Sequence, residues 1–487
     1  MCAKQLEKSI FATMSTDKKR IPETGRAPEE LLAEMESFKS GDARWREGRT
    51  WSMVYQVDEA HNKFLKQASN LFFSESYINP FAFESLQRME KEVVAMTTDM
   101  LNGDEQVAGT MTSGGTESIF LALYTYREWG RKAKRGCTEV VAPATIHPAF
   151  EKAAHILGLQ IKKVPVGEDG KANAAAMEKQ IGKKTLLLAA SAPSYPHGLL
   201  DPIPSISKVA QEYQLPFHVD ACIGGFMLPW LEQLRPELIH PWDFRLPGVT
   251  SMSADTHKFA YGAKGSSVLL YRSMAYLRHQ FFITTDWAGG IYASATLLGS
   301  RSGGPIAAAW AAMNSLGRQR YLELARQVMA GVDQLKAAIE SIPELDWIGA
   351  PCMNILAFTT RNNRPDIFVV ADALAEKGWY VDRQQRPNCI HVTVMPQNLP
   401  VLEAYIDDLR SAVAFAKANP KAKAEGNAAL YGLMARIPFR GMVAQNVRKM
   451  FEALYGDPVE EETSTEPEPA KWMGWANRLL SFNPFRR

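Results

Sequence analysis

An α/β protein with a mostly parallel central sheet, joined to a smaller C-terminal α+β unit, is the fold this sequence predicts, and three observations predict it. Strand-like apolar runs alternate with helix-like runs between residues 139 and 272. A second, shorter set of strands and helices follows a long helical stretch that starts near residue 303. The chain is 487 residues long with 46% hydrophobic and 22% charged residues, enough for more than one domain with an ample core.

In chain order, residues 1–50 are polar and rich in Lys, Glu and Arg, and read as a loosely held arm with a helix near PEELLAEMESFKS. From Glu84 the spacing becomes regular: Leu86, Met89, Val93 and Met96 share one face of a helix. The runs EVVAP, IKKVPV, TLLLAASAPS, LPFHVDA, GVTSMSAD and GSSVLLYR predict strands. PAFEKAAHILG, NAAAMEKQIG and ISKVAQEYQ, which lie among them, predict helices. The C-terminal unit reads as strand MNILAFTT, helix DIFVVADALAEKG, and strands WYVDRQ and CIHVTVMP. The expected division is 1–83, an N-terminal segment; 84–340, the large domain; 341–456, the small domain; and 457–487, an acidic Pro-containing linker with a short apolar, basic tail.

Composition excludes several classes. Lys and Arg total 55 against 53 Asp and Glu, which gives no footprint for nucleic acid. Five scattered cysteines without a CxxC pair fit reduced thiols in the cytoplasm better than a disulfide framework or a zinc site. The N-terminus shows no secretory h-region, and no run of about 18 apolar residues predicts a transmembrane helix.

Four short segments carry chemistry. TSGGTES (112–118) stands directly before a helical run, and its two glycines and the free N–H groups of a helix start suit a phosphate. In ATIHPAF, His147 follows a strand and can lie flat on a cofactor ring. Asp220 in HVDACIGGF ends an apolar strand, where open α/β sheets place ligands, and a carboxylate there can hold a protonated pyridine nitrogen. In SADTHKFAYGAKGSS, Lys258 follows another strand, and His257 and Lys264 are cations expected to lower its pKa for attack on a carbonyl. Each segment also has a plain structural counterpart: a capped turn, a buried histidine, a backbone-bonded carboxylate, a surface lysine. Their order along the chain favours one shared site, with Lys258 forming an imine with pyridoxal 5'-phosphate.

That order resembles the fold-type-I pyridoxal-phosphate enzymes, and within them the group II decarboxylase branch. The segments TSGGTES, EVVAP, HVDACIGGF, GVTSMSADTHKFAYGAKGSSVLLYR, TDWAGGIYAS and GSRSGG, with the late stretch NPKAKAEGNAALYG, are similar to the sphingosine-1-phosphate lyases from about Gly48 to Tyr455. The resemblance implies a seven-stranded sheet in the large domain. It implies retro-aldol cleavage of a phosphorylated long-chain base at C2–C3, to a long-chain aldehyde and phosphoethanolamine. The rival reading is α-decarboxylation of glutamate or an aromatic amino acid at the same cofactor site.

Residue by residue, the resemblance implies that Gly114, Gly115, Thr116 and His257 meet the cofactor phosphate and His147 the ring, and that His218 joins Asp220 and Lys258 in the cofactor set. Ser300 and Ser302 would complete the phosphate site from a partner subunit, which implies a homodimer. Tyr55, Asn79, Lys264 and Tyr431 would line the region of substrate phosphate and proton transfer. One departure stands out: the family reads Asn-Pro-Leu-His where this chain has Asn79-Pro80-Phe81-Ala82. In the tail, Trp472, Trp475, Leu479 and Phe482 recur at helical spacing near Arg478, Arg486 and Arg487. Such a helix suits weak contact of residues 472–487 with a membrane surface, or docking on protein.

Overall fold

The structure is a computed structural model and describes residues 20–79, 81–133, 136–424 and 440–455. Tyr431, the linker and tail from 457 to 487, and Pro80 lie outside the described residues. Contacts divide the chain into two units, Pro28–Gly432 and Met1–Ala27 with Leu433–Arg487. Of the latter, helix Arg440–Tyr455 is described, with Phe451 and Tyr455 stacked at 6.1 Å.

The larger unit is built on seven strands: β1 Ala108–Thr112, β2 Glu139–Pro143, β3 Gln160–Val164, β4 Thr185–Ser191, β5 Phe217–Asp220, β6 Ser251–Ala254 and β7 Ser267–Tyr271. They lie in the order β1-β7-β6-β5-β4-β2-β3. From β3 through β6 all neighbours are parallel, while β7 is antiparallel to both β6 and β1. Every residue of β4, β5, β6 and β7 is buried, because helices cover both faces of such a sheet and leave no solvent side. Helices Gly115–Lys132, Ala149–Leu157 and Ile203–Glu212 follow β1, β2 and β4.

The helix Glu84–Met100 buries Leu86, Met89 and Val93, as its spacing predicts, with Met96 partly buried beside them. β1 was not among the predicted strands: its sequence AGTMT is short and weakly apolar, and its pairing with β7 is what makes it a strand. A short hairpin, β8 Phe282–Thr284 with β9 Tyr292–Ser294, precedes helix Gly303–Glu340, which kinks at Gly317.

A smaller antiparallel sheet, β10 Leu345–Trp347, β11 Ile355–Thr360, β12 Asp382–Gln384 and β13 Cys389–Thr393, is ordered β10-β11-β13-β12. The segment around Thr50 is held firmly to this sheet, although the helix Pro28–Phe38 before it buries no residue. Thr50 bridges to Tyr380, and the Trp51 carbonyl accepts from Thr393 N–H at 2.7 Å. Trp51 is fully buried against Tyr405 at 4.4 Å and Trp379 at 6.2 Å. A single indole of this size removes enough apolar surface from water to fasten the polar residues around it.

Candidate active site

The carboxyl ends of β1, β2, β4, β5 and β6 share one edge of the sheet, which is where a doubly wound fold gathers ligands. There a cavity of about 290 Å³ is lined by Gly114, Gly115, Thr116, His147, Asp220, His257 and Lys258. Residues separated by more than a hundred positions in sequence thus converge.

The turn after β1 is shaped for close approach. Gly114 has φ +147°, in the region that favours glycine, and caps helix Gly115–Lys132. A Cβ on Gly115 would come within 2.8 Å of Cys222 Sγ and 2.9 Å of both Asp255 carboxylate oxygens. The start of this 18-residue helix therefore meets the cavity with its first N–H groups free of side-chain bulk. His257 donates its Nδ1–H to the Ser266 carbonyl at 2.5 Å, which fixes the ring, and Nε2 lies 3.7 Å from Asp255 Oδ2. Burial pushes the His257 pKa down, against the pull of Asp255.

Lys258 departs from expectation in its electrostatics. The neighbouring cations were expected to lower its pKa, and burial acts in the same direction. The carboxylate of Asp255, 2.9 Å from Nζ and itself 2% exposed, prevails and raises it. The Asp255 pKa is lowered in return: burial alone would raise it, but Lys258 and His257 more than offset that. Asp255 Oδ1 is buried without a hydrogen-bond partner. Asp255 was missed in the sequence although it stands three residues before Lys258; the i,i+3 spacing was the available signal.

On the other side of the cavity, Asp220 Oδ1 accepts from Cys222 N–H at 3.1 Å and from the Ser253 hydroxyl at 3.3 Å. His147 Nδ1 accepts from Ala149 N–H, and burial lowers the His147 pKa. Tyr195, just beyond β4, stands edge-on to His147 at 6.4 Å and donates to Asp382 Oδ2 at 3.1 Å. Its position past the end of a central parallel strand was the signal for it. His218 does not line the cavity. It points behind Asp220, fully buried, between Ser251 at 2.8 Å and Ser253 at 3.2 Å, because residues i and i+2 of a strand share a face.

Tyr55 and Lys264 line a second cavity of about 280 Å³ with His61 and Tyr261. Lys264 donates to the Met53 carbonyl, its ammonium sits 4.9 Å from the Tyr55 ring centre, and burial together with Lys258 pushes its pKa down to about 8. Phe259, next to Lys258, packs edge-on against Tyr55 at 5.1 Å.

Asn79, Ser300 and Ser302 do not line the Lys258 cavity. Asn79 Oδ1 caps the turn at Phe81 N–H, followed by Ala82, while Ser302 bridges to Ser76 and begins helix Gly303–Glu340. Asn79 lines a separate cavity of about 660 Å³, between residues 77–81 and the β8–β9 hairpin. The loop beside it is stapled to the end of β1 and the turn after it by two buried carboxylates. Glu117 Oε2 accepts from Ser113 N–H and Oε1 from Leu297 N–H. Glu90 pairs through both oxygens with Arg301, which also donates to the Met111 carbonyl. Glu117 lies inside TSGGTES, where the glycines, Thr116 and the N–H groups of the helix start were read as functional.

The site fits pyridoxal phosphate on these observations. A side-chain-free helix start suits its phosphate, an amine lies within the same cavity, and a buried carboxylate suits a ring nitrogen. The model for the pyridoxal-dependent decarboxylase conserved domain matches residues 64–361. The chain is 38% identical over 454 residues to sphingosine-1-phosphate lyase 1 of Rattus norvegicus, covering 93% of this chain and 80% of that protein. It is 40% identical to the sphingosine-1-phosphate lyase of Dictyostelium discoideum, covering 91% and 84%. The solved structure of the Burkholderia pseudomallei sphingosine-1-phosphate lyase superposes with a TM-score of 0.81 at 37% identity, covering 90% of this chain and 98% of that one. With relatives at these identities along most of its length, the chain belongs to the sphingosine-1-phosphate lyase family, within the pyridoxal-dependent decarboxylase fold.

Proposed function

We propose that this protein is a pyridoxal-phosphate-dependent carbon–carbon lyase that cleaves sphingosine or sphinganine 1-phosphate at C2–C3, releasing a long-chain aldehyde and phosphoethanolamine. The observation that carries this reading is the convergence of Lys258, Asp220, His147, His257 and the Gly114–Thr116 turn on one cavity, in a chain of this family. Decarboxylation has weaker support, since only the wider fold family suggests it.

Lys258 would hold the cofactor through its amine, Gly114, Gly115, Thr116 and His257 its phosphate, His147 the ring face and Asp220 the ring nitrogen. When bound, the cofactor supplies an electron sink for the pair released as the carbon–carbon bond breaks. The protein's own groups must take the C3 hydroxyl proton and return one to C2. Tyr55 is a phenol at neutral pH, and burial raises its pKa further, so it can donate or relay a proton. Lys264, held near 8, is an ammonium that can bind a substrate phosphate at neutral pH. Asn79 and Tyr431 are proposed as further substrate residues, with Ala82 leaving the family's histidine position without a proton carrier.

A homodimer is part of this proposal. Ile78, Phe81, Ile283, Ile291 and Leu298 line the 660 Å³ cavity and are between 44% and 86% exposed, which is more clustered apolar surface than a monomer ordinarily leaves in water. A second copy seated there would bring Ser300 and Ser302 to the neighbouring cofactor. Cytoplasmic residence is proposed from the thiols, since Cys222, Cys352 and Cys389 are buried and unpaired. Among the described residues no helix is long and apolar enough to cross a membrane.

Product analysis with sphinganine 1-phosphate tests the reading, with Lys258→Ala as the control. Long-chain aldehyde from the unmodified protein alone is the expected result. Carbon dioxide from glutamate or an aromatic amino acid, with no aldehyde, would overturn it.

A further inference from the structure

Behind Asp220 the buried hydroxyls and the imidazole are ordered in one direction. The hydroxyl of Ser253 donates to Asp220 Oδ1 at 3.3 Å and has no second proton to give. The 3.2 Å contact between Ser253 Oγ and His218 Nε2 therefore needs the proton on Nε2. His218 is fully buried and burial pushes its pKa down to about 4, so the ring is neutral and Nδ1 is bare. Ser251, 2.8 Å from Nδ1, must then donate to it, and Ser251 in turn accepts from the Tyr126 hydroxyl at 2.8 Å. The Cys222 thiol adds a donor to Ser253 at 3.3 Å, and the Cys222 N–H a second donor to Asp220 Oδ1. Ser251, Ser253 and Tyr126 are all fully buried, so no water competes for these bonds.

We propose that Tyr126, Ser251, His218 and Ser253 form a directed hydrogen-bond relay whose every donor points toward Asp220, and that His218 is a positioning residue acting through Asp220, not a contact of the cofactor. This rests on the reading of Asp220 as the partner of the cofactor ring nitrogen. Donors in series polarise one another and strengthen the last bond, the one to the carboxylate. Two donors converge on Oδ1 and turn the group so that Oδ2 is the oxygen left for the cavity. The neutral imidazole is suited to the middle of such a chain because it takes a proton bond on one nitrogen and gives one on the other.

The test uses the full-length protein loaded with pyridoxal phosphate labelled with ¹⁵N in the ring, whose chemical shift reports whether that nitrogen carries its proton. In the unmodified protein the nitrogen is expected to stay protonated well above neutral pH. In Ser253→Ala and His218→Leu the pH at which the proton is lost should fall by about one unit, a tenfold change in the equilibrium. His218→Gln, which restores one acceptor and one donor, should recover most of it. Ser251→Ala, three links from Asp220, should show a smaller fall in the same direction, and it carries the test if His218→Leu does not fold. Titrations unchanged in Ser253→Ala and Ser251→Ala would overturn the relay. So would a loss of cofactor affinity in His218→Leu with the ring titration intact, since that is the mark of a direct contact. A ring nitrogen without its proton in the unmodified protein would count against the reading of Asp220 itself.

Discussion

The cavity around Lys258 and the face around Asn79 are built on opposite principles. In the first, charged and polar groups are buried and nearly all partnered: Asp255 with Lys258, Asp220 with Ser253 and Cys222, His257 with Ser266. In the second, large apolar side chains stand in solvent, with Phe81 86% and Ile291 76% exposed. A carboxylate in the interior is tolerable only when neighbours compensate its lost hydration, and those of Asp255 and Asp220 come from the same chain. Apolar surface carries no such demand on partners in the same chain. It is the face on which the proposed second copy would sit, and two buried carboxylates, Glu117 and Glu90, tie the adjoining loop to the end of β1 and the turn after it.

The contrast can be broken most severely at its closed end. Lys258→Ala should abolish the visible absorption band of the loaded protein and lower aldehyde formation by a factor on the order of 10³ or more, as read by absorption spectroscopy and product assay. At the open end, Ile283→Asp with Ile291→Asp should yield a monomer by sedimentation and lower activity by about 100-fold, because desolvating two carboxylates at an interface opposes association. The same variant should keep its helical content, since both side chains are exposed in the single chain.

The staple between the two regions ranks next. Arg301→Met leaves Glu90 buried without its cation and should cost about 3–5 kcal/mol in urea unfolding. Cofactor affinity should weaken in parallel, measured by titrating the apoprotein. A subtler probe is Lys264, whose pKa lies near 8. Its positive charge is present below that pH and fades above it, so KM for a phosphorylated substrate should rise up to about tenfold between pH 7 and 9. Lys264→Met should raise KM at pH 7 and flatten the profile.

The smallest effect is on acid stability. His218 is depressed from 6.5 to about 4, so the unfolded chain takes up its proton first, and stability is lost as pH falls from 6.5 toward 4, by on the order of 3 kcal/mol. Asp201, raised to about 6 by burial, works in the opposite direction over much the same window and leaves a shallow net slope. His218→Gln leaves the Asp201 contribution uncancelled, so stability should rise as pH falls from 6 toward 5, as followed by urea titrations at pH 7, 6 and 5.

Much of the cofactor side was legible beforehand because its signals are local. A glycine pair before a helix, an Asp at the end of an apolar strand and a Lys after another each announce their chemistry within a few residues. Asp255 and Glu117 stood inside those same segments and were passed over, because their roles depend on what lies opposite. Tyr195 needed the position of β4 in the middle of the sheet to be seen as a cavity residue.

By itself, then, the sequence determined the alternation of strands and helices, the family and the cofactor, since apolar periodicity and short motifs are written in consecutive residues. Only the tertiary structure decided that Asp255 raises the Lys258 pKa instead of cations lowering it, and that His218 lies behind Asp220, outside the cavity. It also separated Asn79, Ser300 and Ser302 from the cavity within one chain. Each of these turns on distances between residues far apart in sequence or on which face of a strand a side chain takes, and electrostatic effects in an interior follow distance and burial, not order along the chain.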